Sequence, residues 1–590
     1  MRMIVKLACL LAAFLPVIPS CGGAPKTGQT GDGNKVEHAG AEDSTLMEGQ
    51  MSPKQQAETF LEQYLAEYEN LDVAEMKAHW QAAITGTQEA YDTLSAAQLA
   101  VKKLHSDTER YQKIAALLEN KETLPPLTRR SLEVAYLEFK ANQLPLDLLE
   151  KMVNMSSDIQ RVFNNFRGKI GKKQFSNNEL LDMLATERKS RKRQEIWEAL
   201  KQVGAKVGPK IVALAAVRNQ AAGELGYQNY WEMNVKLQEY EPEQLMKIFE
   251  DLEALTDKPF KEMKEELDRE ISRKLKIRRK DMKPWHYDNP FFQSPPPAEK
   301  IDLDVYFKNR KSEDVVTIAG EFFADIGMPI DKIVKNSDLY EREGKDQHAF
   351  CIDIDRKGDV RTLLNIKPNI EWMDTMLHEQ GHAVYDIFLD FELPFNLREP
   401  AHIFATEAVA MLFGALAKNA TWLVEYAGAD KARLEKQAEQ VLEQRRREQL
   451  IFARWTMVML YFEKALYEDP SQDLNKLWWD MVERFQMISR PEERDAPDWA
   501  AKPHFTIAPV YYHNYMLGEL FAAQLRSTLR GVAGHQGPVS SLSYKGQKQF
   551  GAFFKEKIFL PSRRHPWPEF VKNATGESLN PKHFAAELEN

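Results

Sequence analysis

Helical periodicity over the N-terminal half is the feature that most constrains the fold of this chain. Apolar residues recur every three or four positions in five segments, at 57–68, 73–94, 132–139, 178–203 and 242–275. This spacing places apolar side chains on one face of a helix. Strand-like patterns are confined to about residues 350–366, and helical patterns resume after Glu407. The sequence therefore predicts a mainly helical protein with one small β-sheet.

Residues 53–590 are predicted to form one continuous domain. A length of 590 residues would by itself favour two or more domains. However, no linker rich in proline, glycine and serine divides residues 53–590. The net charge of −9 is modest, and acidic and basic residues are interleaved. We expect no nucleic-acid binding, because that function requires a basic face.

The first 52 residues have the composition of a targeting segment and a tether. Arg2 and Lys6 precede an apolar run at 7–18 that is too short to span a bilayer. Residues 1–20 are therefore predicted to be a signal peptide, followed by a site resembling that of bacterial lipoproteins, with Cys21 as the lipidated residue. Residues 21–52 would form a disordered tether. We expect an exported protein, lipid-anchored to a membrane of the bacterial cell envelope; the alternative is ordinary cleavage and a secreted protein.

A His-Glu-x-x-His motif carries the clearest chemical signal in the chain. His378 and His382 are four residues apart on a predicted helix, so both imidazoles can reach one metal ion. Glu379 lies beside them, where it can take a proton from a water molecule. Glu407, 25 positions after His382, supplies a third ligand and leaves a fourth position for water, as in catalytic zinc sites. The alternative interpretation is a surface helix with unrelated histidines.

The surroundings of the motif favour the metal site. Apolar residues at helical spacing indicate that the motif helix, from about residue 372, is half-buried. A short strand is predicted at 360–366, and a strand beside the helix offers an edge on which an extended peptide can pair. The motif and this strand together predict a zinc peptidase, with zinc (Zn²⁺) as cofactor and peptides as substrates.

A second polar group lies about 100 residues after Glu407. Lys502-Pro503-His504 is followed by Tyr511-Tyr512-His513-Asn514-Tyr515. A histidine and a tyrosine hydroxyl are hydrogen-bond donors that can stabilise an oxyanion opposite a metal. The alternative interpretation is a turn followed by an amphipathic helix whose tyrosines face the core.

The sequence resembles the angiotensin-converting enzyme (peptidyl-dipeptidase A) family over most of residues 53–590. The similar stretches, in order, are His-Glu-x-Gly-His at 378–382, Leu397-Arg398-Glu399, Glu407-Ala408, Trp478-Trp479, Ala501-Lys502-Pro503-His504, Tyr512-His513-Asn514-Tyr515 and Pro566-Trp567-Pro568-Glu569. The resemblance implies a large, two-lobed helical peptidase with a deep central cleft and a small sheet beside the zinc helix. It also implies zinc on His378, His382 and Glu407, and Glu379 as base and later acid.

Further roles are implied only by this resemblance. His504 and Tyr515 would stabilise the tetrahedral intermediate, and Lys502 and Tyr512 would hold the C-terminal carboxylate of the substrate. His348-Ala349 would pair with the substrate backbone. We therefore expect a lipid-anchored zinc peptidase that releases C-terminal dipeptides.

The chain departs from the family pattern at three positions. Tyr287 stands where the family has a glutamine that binds the terminal carboxylate, which favours an oligoendopeptidase without a C-terminal requirement as an alternative. Asn514 replaces an arginine that binds an activating chloride, so we expect chloride to matter little. Met411 replaces an acidic residue near the metal, and Asp374 is the candidate to orient a ligand histidine instead. A peptide-binding lipoprotein without catalysis is a third possibility, against which Glu379 argues.

Overall fold

The computed structural model describes residues 51–296 and 302–589, and the prediction of a mainly helical fold is confirmed. The predicted signal peptide, Cys21 and nearly all of the 21–52 tether lie outside these residues and stay predictions. No helix in the described part of the chain is both long enough and apolar enough to cross a membrane. The helices are α1 (Pro53–Thr85), α2 (Gln88–His105), α3 (Thr108–Leu118), α4 (Pro126–Ala141), α5 (Leu146–Asn165), α6 (Asn177–Thr186), α7 (Ser190–Glu224), α8 (Tyr230–Leu237), α9 (Pro242–Leu275), α10 (Ser312–Asp325), α11 (Asp331–Asn336), α12 (Ile370–Ile387), α13 (Ile403–Gly414), α14 (Ala420–Glu425), α15 (Lys431–Glu468), α16 (Leu474–Gln486), α17 (His504–Ile507), α18 (Tyr512–Val532), α19 (Lys548–Phe553), α20 (Trp567–Thr575) and α21 (Lys582–Glu589).

Two short antiparallel hairpins accompany these helices. Strands β3 (Phe350–Asp353) and β4 (Val360–Leu363) pair with Cys351 opposite Thr362, which is the small sheet that the sequence predicts. Strands β1 (Gly168–Ile170) and β2 (Lys173–Phe175) form a second hairpin that the sequence analysis did not anticipate. Strands of three residues are too short to show an alternating pattern.

Local sequence sets the start of both helices that carry the His-Glu-x-x-His motif and Glu407. The Asn369 side chain accepts a hydrogen bond from the Trp372 N–H at 2.9 Å and caps α12. The His402 side chain caps α13 by accepting from the Phe404 N–H at 3.3 Å. These caps satisfy N–H groups that have no partner within a helix.

The contact between α12 and α13 is close enough to require a glycine. A Cβ added to Gly381 would lie 2.8 Å from the Cα of Ala410, which is backbone and cannot move aside cheaply. Gly381 is the fourth residue of the motif, so the absence of its side chain brings both motif histidines against α13. Gly518 on α18 has a similar role, because a Cβ there would lie 3.3 Å from the Cβ of Glu407.

A buried network of ion pairs fixes the segment between α12 and α13. Glu399 in this segment pairs with Arg356 at 3.0 Å and with Arg563 at 3.1 Å. Arg356 also pairs with Asp72 of α1 at 3.1 Å, and both arginines are 1% exposed. Replacing one of these charged residues with a neutral one would leave a buried charge without its partner, which is strongly destabilising. The network thus ties the N-terminal helices to the segment that leads to Glu407.

The close helix contact predicts opposite effects for two glycine substitutions. Gly381→Ala should lower unfolding stability by about 1–3 kcal/mol, because the added methyl group overlaps the α13 backbone. The matched control is Gly320→Ala in the interior of α10, where an added Cβ meets nothing within 4 Å. The control should gain up to about 1 kcal/mol from helix propensity. Thermal and urea unfolding measure both; equal effects at the two sites would contradict the contact.

Candidate active site

His378, His382 and Glu407 converge as the sequence predicts. Their candidate ligand atoms all lie within 4.8 Å of one another, and no other group of this kind occurs among the described residues. Oε2 of Glu407 lies 3.9 Å from Nε2 of His378 and 4.0 Å from Nε2 of His382. Two imidazoles and a carboxylate are ligands that zinc prefers, at about 2.0–2.2 Å each. The three donor atoms are therefore spaced so that one zinc ion could bind to all of them.

The electrostatics of this group also fit a divalent cation. Burial raises the pKa of Glu407 to about 7. Burial and the neighbouring Glu407 raise the pKa of Glu379 to about 8. Burial lowers the pKa of both histidines, which favours the neutral imidazole that binds metal. Two carboxylates this close together disfavour each other's charged form, and a bound cation would reverse that effect.

Glu379 lies beside the outer edge of β3. Its carboxylate accepts a hydrogen bond from the backbone N–H of Cys351. Cys351 therefore directs its N–H away from β4 and towards the metal group. Ala349 directly precedes this strand, which begins at Phe350. His348 is exposed, and its N–H donates to Asp346 Oδ1 at 3.0 Å.

Thr406 was not singled out in the sequence, and it contacts a ligand histidine. The Thr406 hydroxyl lies 2.7 Å from Nδ1 of His382. With Nε2 of His382 facing Glu407, Nδ1 would carry the proton and donate it to this hydroxyl, which fixes the ring and its tautomer. Asp374 lies near the other histidine: burial lowers the pKa of His378, and the charge of Asp374 offsets this in part, while its Oδ2 pairs with Lys418 Nζ at 2.9 Å.

His504, Tyr512 and Tyr515 form one aromatic group on α17 and α18. The ring centroids of His504 and Tyr512 are 4.9 Å apart, and those of Tyr512 and Tyr515 are 5.4 Å apart. Burial and nearby Lys502 lower the pKa of His504 to about 3, so its imidazole is neutral at pH 7 and carries one N–H. Tyr515 precedes Gly518 by one helical turn, and Gly518 approaches Glu407. This helix contact brings the tyrosine group to the metal ligands.

Lys502 has a partner that the sequence analysis missed. Its Nζ donates to Oε1 of Gln293 at 2.8 Å, and the residue is only 7% exposed. Burial lowers the pKa of Lys502 to about 8. Tyr287, in contrast, is 2% exposed, and its hydroxyl donates to Asp268 at 2.8 Å and accepts from Lys264 at 2.6 Å. A glutamine therefore does stand beside Lys502, six positions after Tyr287.

Asn514 belongs to a network of neutral hydrogen bonds. Its amide Nδ2 donates to Gln238 Oε1 at 2.8 Å, and its Oδ1 accepts from the Tyr240 hydroxyl at 2.7 Å. The Gln238 amide in turn donates to the Val510 carbonyl at 3.1 Å. The Asn514 amide is thus occupied by neutral partners, and the expectation that chloride matters little stays a prediction.

A cavity of about 750 Å³ lies beside these groups. Its wall includes both His378, one of the three candidate ligands, and Gln293, the partner of Lys502. A larger groove of about 1980 Å³ lies between α9, α15 and α21, and it shares Gln444, Arg445 and Gln449 with the cavity.

This arrangement is typical of metallopeptidases: two imidazoles on one helix, a glutamate from a neighbouring helix, and a second carboxylate beside a strand edge. The comparison with protein families agrees: the peptidase family model described as angiotensin-converting enzyme matches residues 51–582. The chain belongs to this family. The resemblance noted in the sequence is thereby confirmed.

Relatives in mammals are similar to the chain at modest identity. Angiotensin-converting enzyme of Bos taurus is 24% identical over 271 residues, which is 44% of this chain and 20% of the bovine protein. Angiotensin-converting enzyme of Mus musculus is 23% identical over 468 residues, which is 73% of this chain and 35% of the mouse protein. The matches thus span about a third or less of these relatives' length.

The hydrogen bond to Thr406 predicts a measurable effect on metal affinity. Thr406→Val removes the acceptor for Nδ1 of His382 and should weaken zinc binding about 10–100-fold, as is usual when such a partner is lost. Thr406→Ser keeps the hydroxyl and serves as the matched control, with affinity close to that of the wild type. Competition with a chelator measures both dissociation constants. Equal affinities for the valine and serine variants would contradict the role of the hydroxyl.

Proposed function

We propose that this protein is a zinc-dependent peptidase that releases dipeptides from the C-termini of oligopeptides. The observation that carries the proposal is a cavity whose wall includes both His378 of the metal-ligand group and Gln293, the hydrogen-bond partner of buried Lys502. His378, His382 and Glu407 would hold the zinc, which supplies a Lewis acid for the scissile carbonyl and for a water molecule. Membership of the angiotensin-converting enzyme family supports this reading.

The residues around the metal ligands have complementary roles in this proposal. Glu379, held by the Cys351 N–H, takes a proton from the attacking water and later passes it to the leaving amine. Neutral His504 and Tyr515 donate hydrogen bonds to the oxygen that becomes negative. The outer edge of β3, with Ala349 and Cys351, pairs with the substrate backbone and holds the scissile bond beside Glu379.

The C-terminal carboxylate of the substrate would bind beside Gln293 and Lys502. Lys502 offers an ammonium, Tyr512 a hydroxyl, and Gln293 an amide beside them. A charged hydrogen bond to a free carboxylate makes the enzyme select the peptide bond two residues from the end. The oligoendopeptidase alternative depended on the loss of the glutamine at 287, and Gln293 beside Lys502 removes that reason.

Substitutions should distinguish the role of Glu379 as base from the role of His382 as metal ligand. Glu379→Gln should keep about one zinc per chain but lower the rate of hydrolysis on the order of 10²–10⁴-fold, because no carboxylate remains to move the proton. His382→Ala should lose the metal itself. Metal analysis and kcat on a blocked peptide measure the two effects. Near-native turnover by the glutamine variant would contradict the mechanism.

Lys502 should govern the preference for a free C-terminus. Lys502→Ala should raise KM for free-acid peptides on the order of tenfold to a hundredfold, since a hydrogen bond to a charged group contributes about 1.5–3 kcal/mol. C-amidated peptides, which present no carboxylate, should show little change and serve as controls. Equal losses on both substrates would favour the oligoendopeptidase.

The pH dependence of the same contact follows from the lowered pKa of Lys502. The ammonium is present below a pH of about 8 and is lost as the pH rises through that value. KM for free-acid peptides should therefore rise above pH 8 in the wild type, and this rise should be absent in Lys502→Ala. A wild-type KM that is flat from pH 7 to pH 9.5 would contradict the assignment.

A further inference from the structure

The cavity between His378 and Gln293 has a composition that can select a substrate side chain. This step rests on the proposed function, because it requires a substrate that extends from the metal ligands to Lys502. In that orientation, the two residues of the released dipeptide lie along the cavity wall. The cavity volume of about 750 Å³ is ample for a long side chain.

Both cations in the cavity wall already have acidic partners. Lys418 Nζ lies 2.9 Å from Oδ2 of Asp374. The Arg445 guanidinium lies 3.8 Å from a carboxylate oxygen of Glu587, and the same glutamate is held by Arg526 with contacts of 2.8 and 2.9 Å. Lys418 is therefore not available to an acidic substrate side chain without giving up its partner, and the charge of Arg445 is offset by both Glu587 and Glu519.

The carboxylates Glu519 and Glu448 of the wall, in contrast, form no ion pair within 4 Å with any described residue, and cations act on them only from a greater distance. Glu519 lies four residues after Tyr515 on α18, so both side chains project from the same face of the helix. In the described part of the chain, no residue forms a hydrogen bond or an ion pair with the Glu519 carboxylate. Glu448 on α15 accepts a hydrogen bond from the neutral Gln444 amide at 3.1 Å. The wall holds five carboxylates (Asp302, Asp304, Asp374, Glu448 and Glu519) against two cations, so its net charge is negative.

The surroundings of Glu519 favour a cation that arrives on an apolar stem. Burial raises the pKa of Glu519, and Arg526 and Arg445 counteract that effect only in part. A desolvated carboxylate without a partner is unfavourable, and a bound cation would relieve this cost. Leu303, Met411 and Phe452 also line the cavity. Lysine and arginine combine an apolar stem with a charged tip, and they match such a wall.

We propose that this cavity is a specificity pocket for a lysine or arginine side chain in the released dipeptide, with Glu519 as the carboxylate that meets the cation. The proposal follows from the volume of the cavity, the position of Glu519 one turn beyond Tyr515, and the excess of carboxylates over cations in the wall. It identifies the substrates as peptides with a basic residue at one of their last two positions.

Matched peptide substrates test the charge preference. N-blocked peptides with a fixed residue before the scissile bond would carry lysine, norleucine or glutamate at each of the last two positions. Norleucine has a similar stem without the ammonium, so the comparison isolates the charge. We expect kcat/KM for lysine to exceed that for norleucine about tenfold at one of the two positions, which corresponds to about 1.4 kcal/mol. Glutamate should be the poorest substrate.

Substitutions of Glu519 test the residue. In Glu519→Gln the lysine-to-norleucine ratio should fall towards one, and in Glu519→Lys the glutamate peptide should overtake the lysine peptide. The matched control is Glu556→Gln, an exposed glutamate that does not line the cavity, which should keep the wild-type ratio. Melting temperature and zinc content verify that each variant is folded. Should the glutamine variant not fold, Glu519→Asp, which keeps the charge but shortens its reach, should lower the ratio.

Product analysis separates the two proposals. Dipeptide release at equal rates from the lysine and norleucine peptides by the wild type would overturn the pocket and leave the proposed function intact. An unchanged ratio in Glu519→Gln would likewise overturn the role of Glu519. Products other than dipeptides, or no hydrolysis of any peptide, would overturn the proposed function and this inference with it.

Discussion

The close packing of α12 against α13 at Gly381 is the constraint on which the candidate site depends. His378 and His382 share one helix face by sequence spacing alone, but a third ligand must come from another element. Glu407 reaches them because no side chain separates the two helices at Gly381, where an added Cβ would lie 2.8 Å from the Ala410 backbone. Gly518 brings α18 against Glu407 in the same way, and with it Tyr515.

The candidate site holds charged groups that are largely buried and that lack a counter-charge from the protein. Glu379 and Glu407 disfavour each other's charge until a cation joins them. Lys502 is held by a neutral amide, Gln293, and not by a carboxylate. Its ammonium is therefore not neutralised by the protein and can meet the carboxylate of a substrate. A metal ion would supply the positive charge that Glu379 and Glu407 lack, and the C-terminal carboxylate of a peptide would supply the negative charge that Lys502 lacks.

Much of this arrangement could be predicted from the sequence, because it depends on local geometry. Helical spacing of apolar residues predicted the mainly helical fold, and the strand pattern around 350–366 predicted the β3–β4 hairpin. His378, Glu379 and His382 follow from the period of one helix. Glu407 was named as the third ligand from its position 25 residues after His382, and the structure brings it to the histidines. The short β1–β2 hairpin gave no readable pattern, and it was missed.

The remaining features were decided by the tertiary structure, because they join residues distant in the chain. Lys502 meets Gln293 across 209 positions, and no sequence spacing distinguishes Gln293 from Tyr287 as its neighbour. The orientation of Glu379 depends on a backbone N–H of β3, a group that every residue except proline carries. The contact of Thr406 with His382 depends on the rotation of α13 about its axis. The sequence determined which helices form and which face of each is apolar; only their packing decided which polar groups meet.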